Sequence, residues 1–212
     1  MKLRPLHIFF ILTAAWVFLS SSAPASASFE GLPQSFKLGP MGDLTCVGMT
    51  EDACAYYDEV PTPAGVRYLV QGSFSRKSDP SRVHLNSVEY MNTYFALLCD
   101  REGDTLKPVF NFLEGREKAS DIHLHDLDAD GTPEVIVTAV FDSRGSYASV
   151  YRLGEAGPER IFTRRANTPH SDFEVDHGAP ALIFEQREGK GATSQPRSEV
   201  FTWNGQSFVP AS

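Results

Sequence analysis

The stretch Asp126-Leu127-Asp128-Ala129-Asp130-Gly131-Thr132-Pro133-Glu134-Val135-Ile136-Val137 decides how the chain is read. It sets carboxylates at positions 1, 3, 5 and 9 of a short loop, with a glycine at position 6. A hard cation such as Ca²⁺ takes six to eight oxygens at about 2.3–2.6 Å, and a turning backbone can converge alternate side chains on one point. Gly131 lacks a Cβ and enters positive φ at little steric cost. Thr132, at position 7, can offer its backbone carbonyl. A bare Asp-Gly turn between strands needs no metal. Three alternating aspartates with a trailing glutamate are a more specific pattern, and point to a metal-binding loop.

The flanks define its type. An EF-hand loop lies between two helices and closes with a bidentate Glu at position 12. Position 12 here is Val137, and Pro133 at position 8 lacks a backbone donor. Glu134 to Val140 is a β-branched run that reads as a buried strand. Ile122-His123-Leu124-His125, just before the loop, alternates as a half-buried strand does. The pattern Asp126-x-Asp128-x-Asp130-Gly131-x-Pro133-Glu134-Val135 thus joins two strands, and it resembles the calcium-binding hairpin of FG-GAP and VCBS repeats, found also in integrin α-subunit propellers. Glu134 stands where that family more often carries Asp. The resemblance implies one Ca²⁺ held by Asp126, Asp128, Asp130, the Thr132 carbonyl and Glu134.

Residues 1–27 read as a secretory signal peptide. Lys2 and Arg4 precede an apolar segment from Ile8 to Leu19, and Ala25-Ser26-Ala27 is a small-x-small cleavage site. The segment is too short and wrongly flanked for a stable transmembrane helix. Its removal leaves residues 28–212 as a single all-β domain, in the periplasm or outside the cell. It also takes away two positive charges and no carboxylate, moving the formal net charge from −8 to −10. An acidic balance argues against nucleic acid or an anionic membrane as partner. Cys46, Cys54 and Cys99 all follow the cleavage site, where oxidation is open to them. The short spacing of Cys46 and Cys54 favours a local disulfide between them, with Cys99 a buried thiol; sequence alone leaves other pairings open.

Two parts of the chain echo each other. Ser120 to Leu124 aligns with Ser171 to Val175, Val135 to Val137 with Leu182 to Phe184, and Val150 to Leu153 with Val200 to Trp203. Each copy ends in a turn and a last strand, the second through Asn204-Gly205, a strong hairpin signal. A fainter copy precedes them in Val66 to Val70, Phe95 to Cys99 and Thr105 to Phe112. Three quasi-repeats of about 50 residues, each a four-stranded antiparallel unit, suggest propeller-like blades. Three blades do not close a ring. The alternatives are an atypical N-terminal unit from Phe29 to Asp58, closure by dimerisation, or an open, β-sandwich-like stack. The second copy replaces the acidic loop with the shorter Asp176 to Pro180, so one metal site is expected. Val88 to Leu98 also admits a helical reading, since Val88, Met91, Phe95 and Leu98 share a face.

Other polar groups are less specific. His123, His125 and Asp126 could together bind Zn²⁺, but a solvent-facing histidine pair on an alternating strand explains them better. His170, Asp172, Glu174, Asp176 and His177 read as the polar face of a strand. Gly189-Lys190-Gly191 lies in a polar connection, and neither Ser143 nor Ser146 sits in a nucleophile-elbow pattern. The expected function is therefore a non-catalytic exported module that binds a protein or a glycan. The alternative is a hydrolase, or an enzyme's accessory domain, with a calcium-stabilised fold.

Overall fold

In the computed structural model the described residues contain strands and no helix. They are 29, 31–49, 53–77, 90–114, 119–142, 145–166, 171–176, 179–188 and 195–211. The expected signal peptide lies outside them. Three antiparallel sheets result. The first holds β1 (Ser35–Leu38), β2 (Leu44–Val47), β3 (Ala53–Thr62), β4 (Gly65–Lys77), β5 (Tyr90–Glu102) and β6 (Thr105–Asn111), in the order β2-β1-β6-β5-β4-β3. The second is β7 (Ala119–His125), β8 (Glu134–Asp142), β9 (Gly145–Gly154) and β10 (Gly157–Ala166), each hydrogen-bonded to the next. The third repeats that meander with β11 (Ser171–Asp176), β12 (Ala179–Glu188), β13 (Gln195–Trp203) and β14 (Phe208–Pro210).

The aligned segments fall on equivalent strands. Ser120 to Leu124 and Ser171 to Val175 lie on the first strand of their units, and Val150 to Leu153 and Val200 to Trp203 on the third. The faint first copy is β3 to β6. The segment from Phe29 to Asp58 is not a further blade: β1 and β2 form a hairpin that joins the first sheet beside β6, and Asp58 already belongs to β3. The helical reading of Val88 to Leu98 fails as well. Tyr90 onward is β5, because pairing with β4 along Tyr68 to Lys77 satisfies its backbone; Val88 lies outside the described residues.

Packing explains the sequence pattern. Glu134 to Ala139 is buried without a break, as a strand covered on both faces must be. Val135, Val137 and Ala139 pack with Leu69, Ala96, Leu98 and Phe112 of the first sheet side. Ile136, Ala148 and Val150 pack instead with Leu182, Phe184, Phe201 and Phe208 of the third sheet. The second sheet is therefore the middle layer of an open stack. The first sheet is strongly curled, and its other face closes over Phe36, Leu32 and the β1–β2 hairpin.

The expected Cys46–Cys54 bridge is not formed: all three cysteines are thiols. Ala53 and Ala55 pack with Cys46 against the cluster under the first sheet. Cys54, between them on β3, alternates to the opposite face and is exposed. Burial pushes the Cys46 thiol up, and the nearby Cys54 adds to it. Cys99 is buried, as its apolar run suggests.

Candidate metal centre

The acidic loop connects β7 and β8 at one end of the middle sheet. Its side chains fold it as much as its backbone does. Asp126 Oδ1 accepts the Asp130 amide at 3.1 Å, and Oδ2 accepts the Gly131 amide at 3.0 Å. Asp130 Oδ1 accepts the Thr132 amide at 2.7 Å. Gly131 has φ 88°, and Ala129, the one non-glycine residue with positive φ among the described residues, has φ 59°. Left-handed backbone at a residue bearing a Cβ is uncommon and needs surrounding contacts to hold it. Here Asp126 supplies them.

This path brings Asp126, Asp128 and Asp130 together, with one carboxylate oxygen from each lying within 4.8 Å of the others. It is the only such convergent group of His, Cys, Asp or Glu among the described residues. The donor set is all oxygen, which suits a hard divalent cation and not a soft one. Thr132 is half-buried beside the triad.

Glu134 is placed differently. It is buried, 2% exposed, and lies outside the convergent triad. Its Oε2 accepts the Leu127 amide at 3.0 Å, and its Oε1 faces Arg152 Nε at 3.3 Å. Position 9 thus ties down the base of the loop. Burial pushes the Glu134 carboxyl up; the Leu127 amide pulls it back, Asp128 raises it further, and Arg152 opposes that. Leu127 itself packs among the side chains between the second and third sheets, so the loop is fixed at both its acidic and its apolar side.

The histidines do not join the triad, nor do they face open solvent. His123 and His125 are half-buried, with ring centroids 5.0 and 6.4 Å from Phe173 on β11. The period-two reading of β7 was right about their shared side, but a third sheet covers that side. Of the remaining candidates, Ser146 is buried within β9. Ser143, His170, His177 and Gly189 to Gly191 lie outside the described residues, as do the side chains of Asp172, Glu174 and Asp176.

Arg152, on β9, is a charged neighbour of the loop that the motif does not contain. Its Nη2 lies 3.2 Å from Asp128 Oδ2 while its Nε faces Glu134. A signal for it exists in the repeat: Arg152 aligns with Thr202, so the arginine occurs in the copy that carries the acidic loop and not in the copy that lacks it. Fold and site together define an all-β protein of three antiparallel sheets, two of them four-stranded meanders, with one acidic loop among the described residues able to hold a metal ion. Compared with family models, curated proteins and solved structures, the chain matches none.

Proposed function

We propose that the chain is a calcium-binding β-repeat module of the FG-GAP and VCBS kind, exported through a cleaved signal peptide, whose surface binds a protein or a glycan without chemistry of its own. The observation that carries the calcium reading is the convergence of Asp126, Asp128 and Asp130 in a loop already shaped by its own carboxylates. The Thr132 carbonyl would add an oxygen on the same side. Glu134 would supply charge and loop anchoring, with direct coordination requiring it to leave Arg152 or share it. A weak site suits the millimolar calcium outside a cell.

Thermal unfolding tests this. An ion bound only to the folded state stabilises by RT ln(1 + [Ca²⁺]/Kd), about 2.7 kcal/mol at a hundredfold excess. For a domain of this size that is a rise in Tm of about 5–10 °C, reversed by chelator. Asp128→Ala or Asp130→Ala abolishes the shift, whereas His123→Ala keeps it. Asp126→Ala is the less informative variant, since it also strips two amides of their acceptor. The absence of any calcium shift in the intact protein would sink the proposal. Amino-terminal sequencing of exported protein, starting at Ser28, checks the leader, and a glycan array read with and without chelator checks the ligand class.

A further inference from the structure

One guanidinium serves two carboxylates at the base of the loop. Arg152 Nε faces Glu134 Oε1 at 3.3 Å, and Nη2 faces Asp128 Oδ2 at 3.2 Å. The two partners differ in freedom. Glu134 is 2% exposed and also holds the Leu127 amide, so turning away would bare a partly buried amide. Asp128 is an exposed residue of the convergent triad, its side chain 24% exposed. Its carboxylate is therefore claimed twice, by the guanidinium and by whatever cation the triad accepts.

Charge makes the conflict concrete. Asp126, Asp128 and Asp130 converge, Glu134 lies beneath them, and Arg152 is the one cation among the described residues seen paired with this group, through Asp128 and Glu134. Without that cation the three converging carboxylates would repel one another more strongly, although the amide bonds to Asp126 and Asp130 would still shape the loop. With it, a divalent ion meets a fixed positive charge a few Å from its own position. Arg152 also reaches the loop from a different strand, so its hold depends on the pairing of β8 with β9 and not on the loop itself.

We propose that Arg152 is a tethered counter-cation of the metal loop: it holds Asp128 in place in the metal-free protein and yields that carboxylate to an entering divalent cation, which weakens the site's affinity while keeping the loop formed. This rests on the calcium reading above and adds its regulation. Arg152 is a positioning residue.

Calorimetric calcium titration of the full mature protein and of Arg152→Met decides the matter, with melting measured in chelator and in calcium. Arg152→Met keeps an unbranched apolar stem and removes the charge. It should melt below wild type in chelator, because Glu134 loses a partner. It should also bind calcium about tenfold more tightly, the scale one unit charge exerts on neighbours at a half-exposed site. Its calcium-induced shift in Tm then exceeds that of wild type. Arg152→Lys, which keeps the charge, should stay near the wild-type Kd. A residue with only a structural role would lower Tm in chelator and leave Kd unchanged or weakened, which overturns the proposal. Should Arg152→Met fail to fold, Arg152→Gln retains an N–H for Glu134 and gives the same comparison. If neither wild type nor the neutral variant binds calcium, the metal reading itself falls and this proposal with it; if both bind equally, only this proposal falls.

Discussion

Cys99 lies wholly buried under the first sheet, and burial, aided by Asp100, pushes its thiol up to about 12. A solvent-exposed cysteine thiol, as in an unfolded chain, has a pKa of about 8.5. Between those values the unfolded state loses a proton that the folded state keeps, so stability falls as pH rises. The slope approaches about 1.4 kcal/mol per pH unit for this one group once the unfolded thiol is mostly ionised. Denaturant melts between pH 9 and 10, below most tyrosine ionisation, should therefore show the decline in wild type and a flatter line in Cys99→Ala. An equal slope in both would show that another group is responsible. The same burial sets the order of labelling by a maleimide: Cys54, exposed on β3, reacts first, and Cys99 only on unfolding. At this scale the sequence was informative where ligands are neighbours. Asp126, Asp128 and Asp130 share one turn, so spacing alone brings them together. Arg152 comes from the next strand, and only the register of β8 on β9 sets it beside Asp128. The unbridged Cys46 and Cys54 were misjudged for the opposite reason: short spacing counts for little when the chain between two residues enters a strand that points them to different sides.

Single strands carried a clear signal when their surroundings were simple. The run Val135 to Val137 has no alternation, and β8 is indeed covered on both faces. β7 alternates, and its Ile122 and Leu124 face the first sheet. What the alternation could not tell is that the other side of β7 would be capped by Phe173 from another unit. β5 offered both periods, and pairing with β4, a strand of equal length, settled it. Position 12 of the acidic loop gives a sharp test of element type. Val137 is 0% exposed and packs toward the first sheet, where an EF-hand would need a metal-facing carboxylate. Val137→Asp should destabilise by about 3–5 kcal/mol, the scale of an unpaired buried charge, equally in calcium and in chelator. Rescue of that variant by calcium would mean that the residue reaches the ion. Gly72 belongs to the same logic of close layers. A Cβ there would come within 2.3 Å of the Cys54 carbonyl and 2.5 Å of the Phe95 ring, so Gly72→Ala must push β3 or Phe95 aside, and a loss of stability follows.

Three units were legible from the 50-residue echo, because each is a local meander whose strands follow one another in sequence. How the units meet was not, since contacts between sheets join residues far apart. The structure answers with a middle sheet whose central strands, β8 and β9, are covered on both faces. Adjacent arginines on its edge strand reinforce this: Arg164 turns to Glu199 of the third sheet, and Arg165 turns to Glu114 after β6, at 2.6 Å. Being partly exposed, each such pair adds no more than about 1 kcal/mol. The apolar layers hold the stack, so the three sheets should unfold together. Trp203 offers a natural reporter. Of the two tryptophans in the full sequence, Trp16 lies in the expected leader, and Trp203 packs against Phe208 in the layer between the second and third sheets. Its fluorescence follows the third sheet, while far-UV circular dichroism follows all strands. The two melting curves should coincide, and calcium added to a loop in the second sheet should shift both by the same amount. Ile136→Ala, which empties volume in that shared layer, should lower both together by the equivalent of about 2–4 kcal/mol. Separate transitions, with Trp203 released first and the calcium shift confined to the second, would mean that the third sheet is an independently folding unit. Coincident curves would make the loop, the middle sheet and the C-terminal sheet one cooperative body.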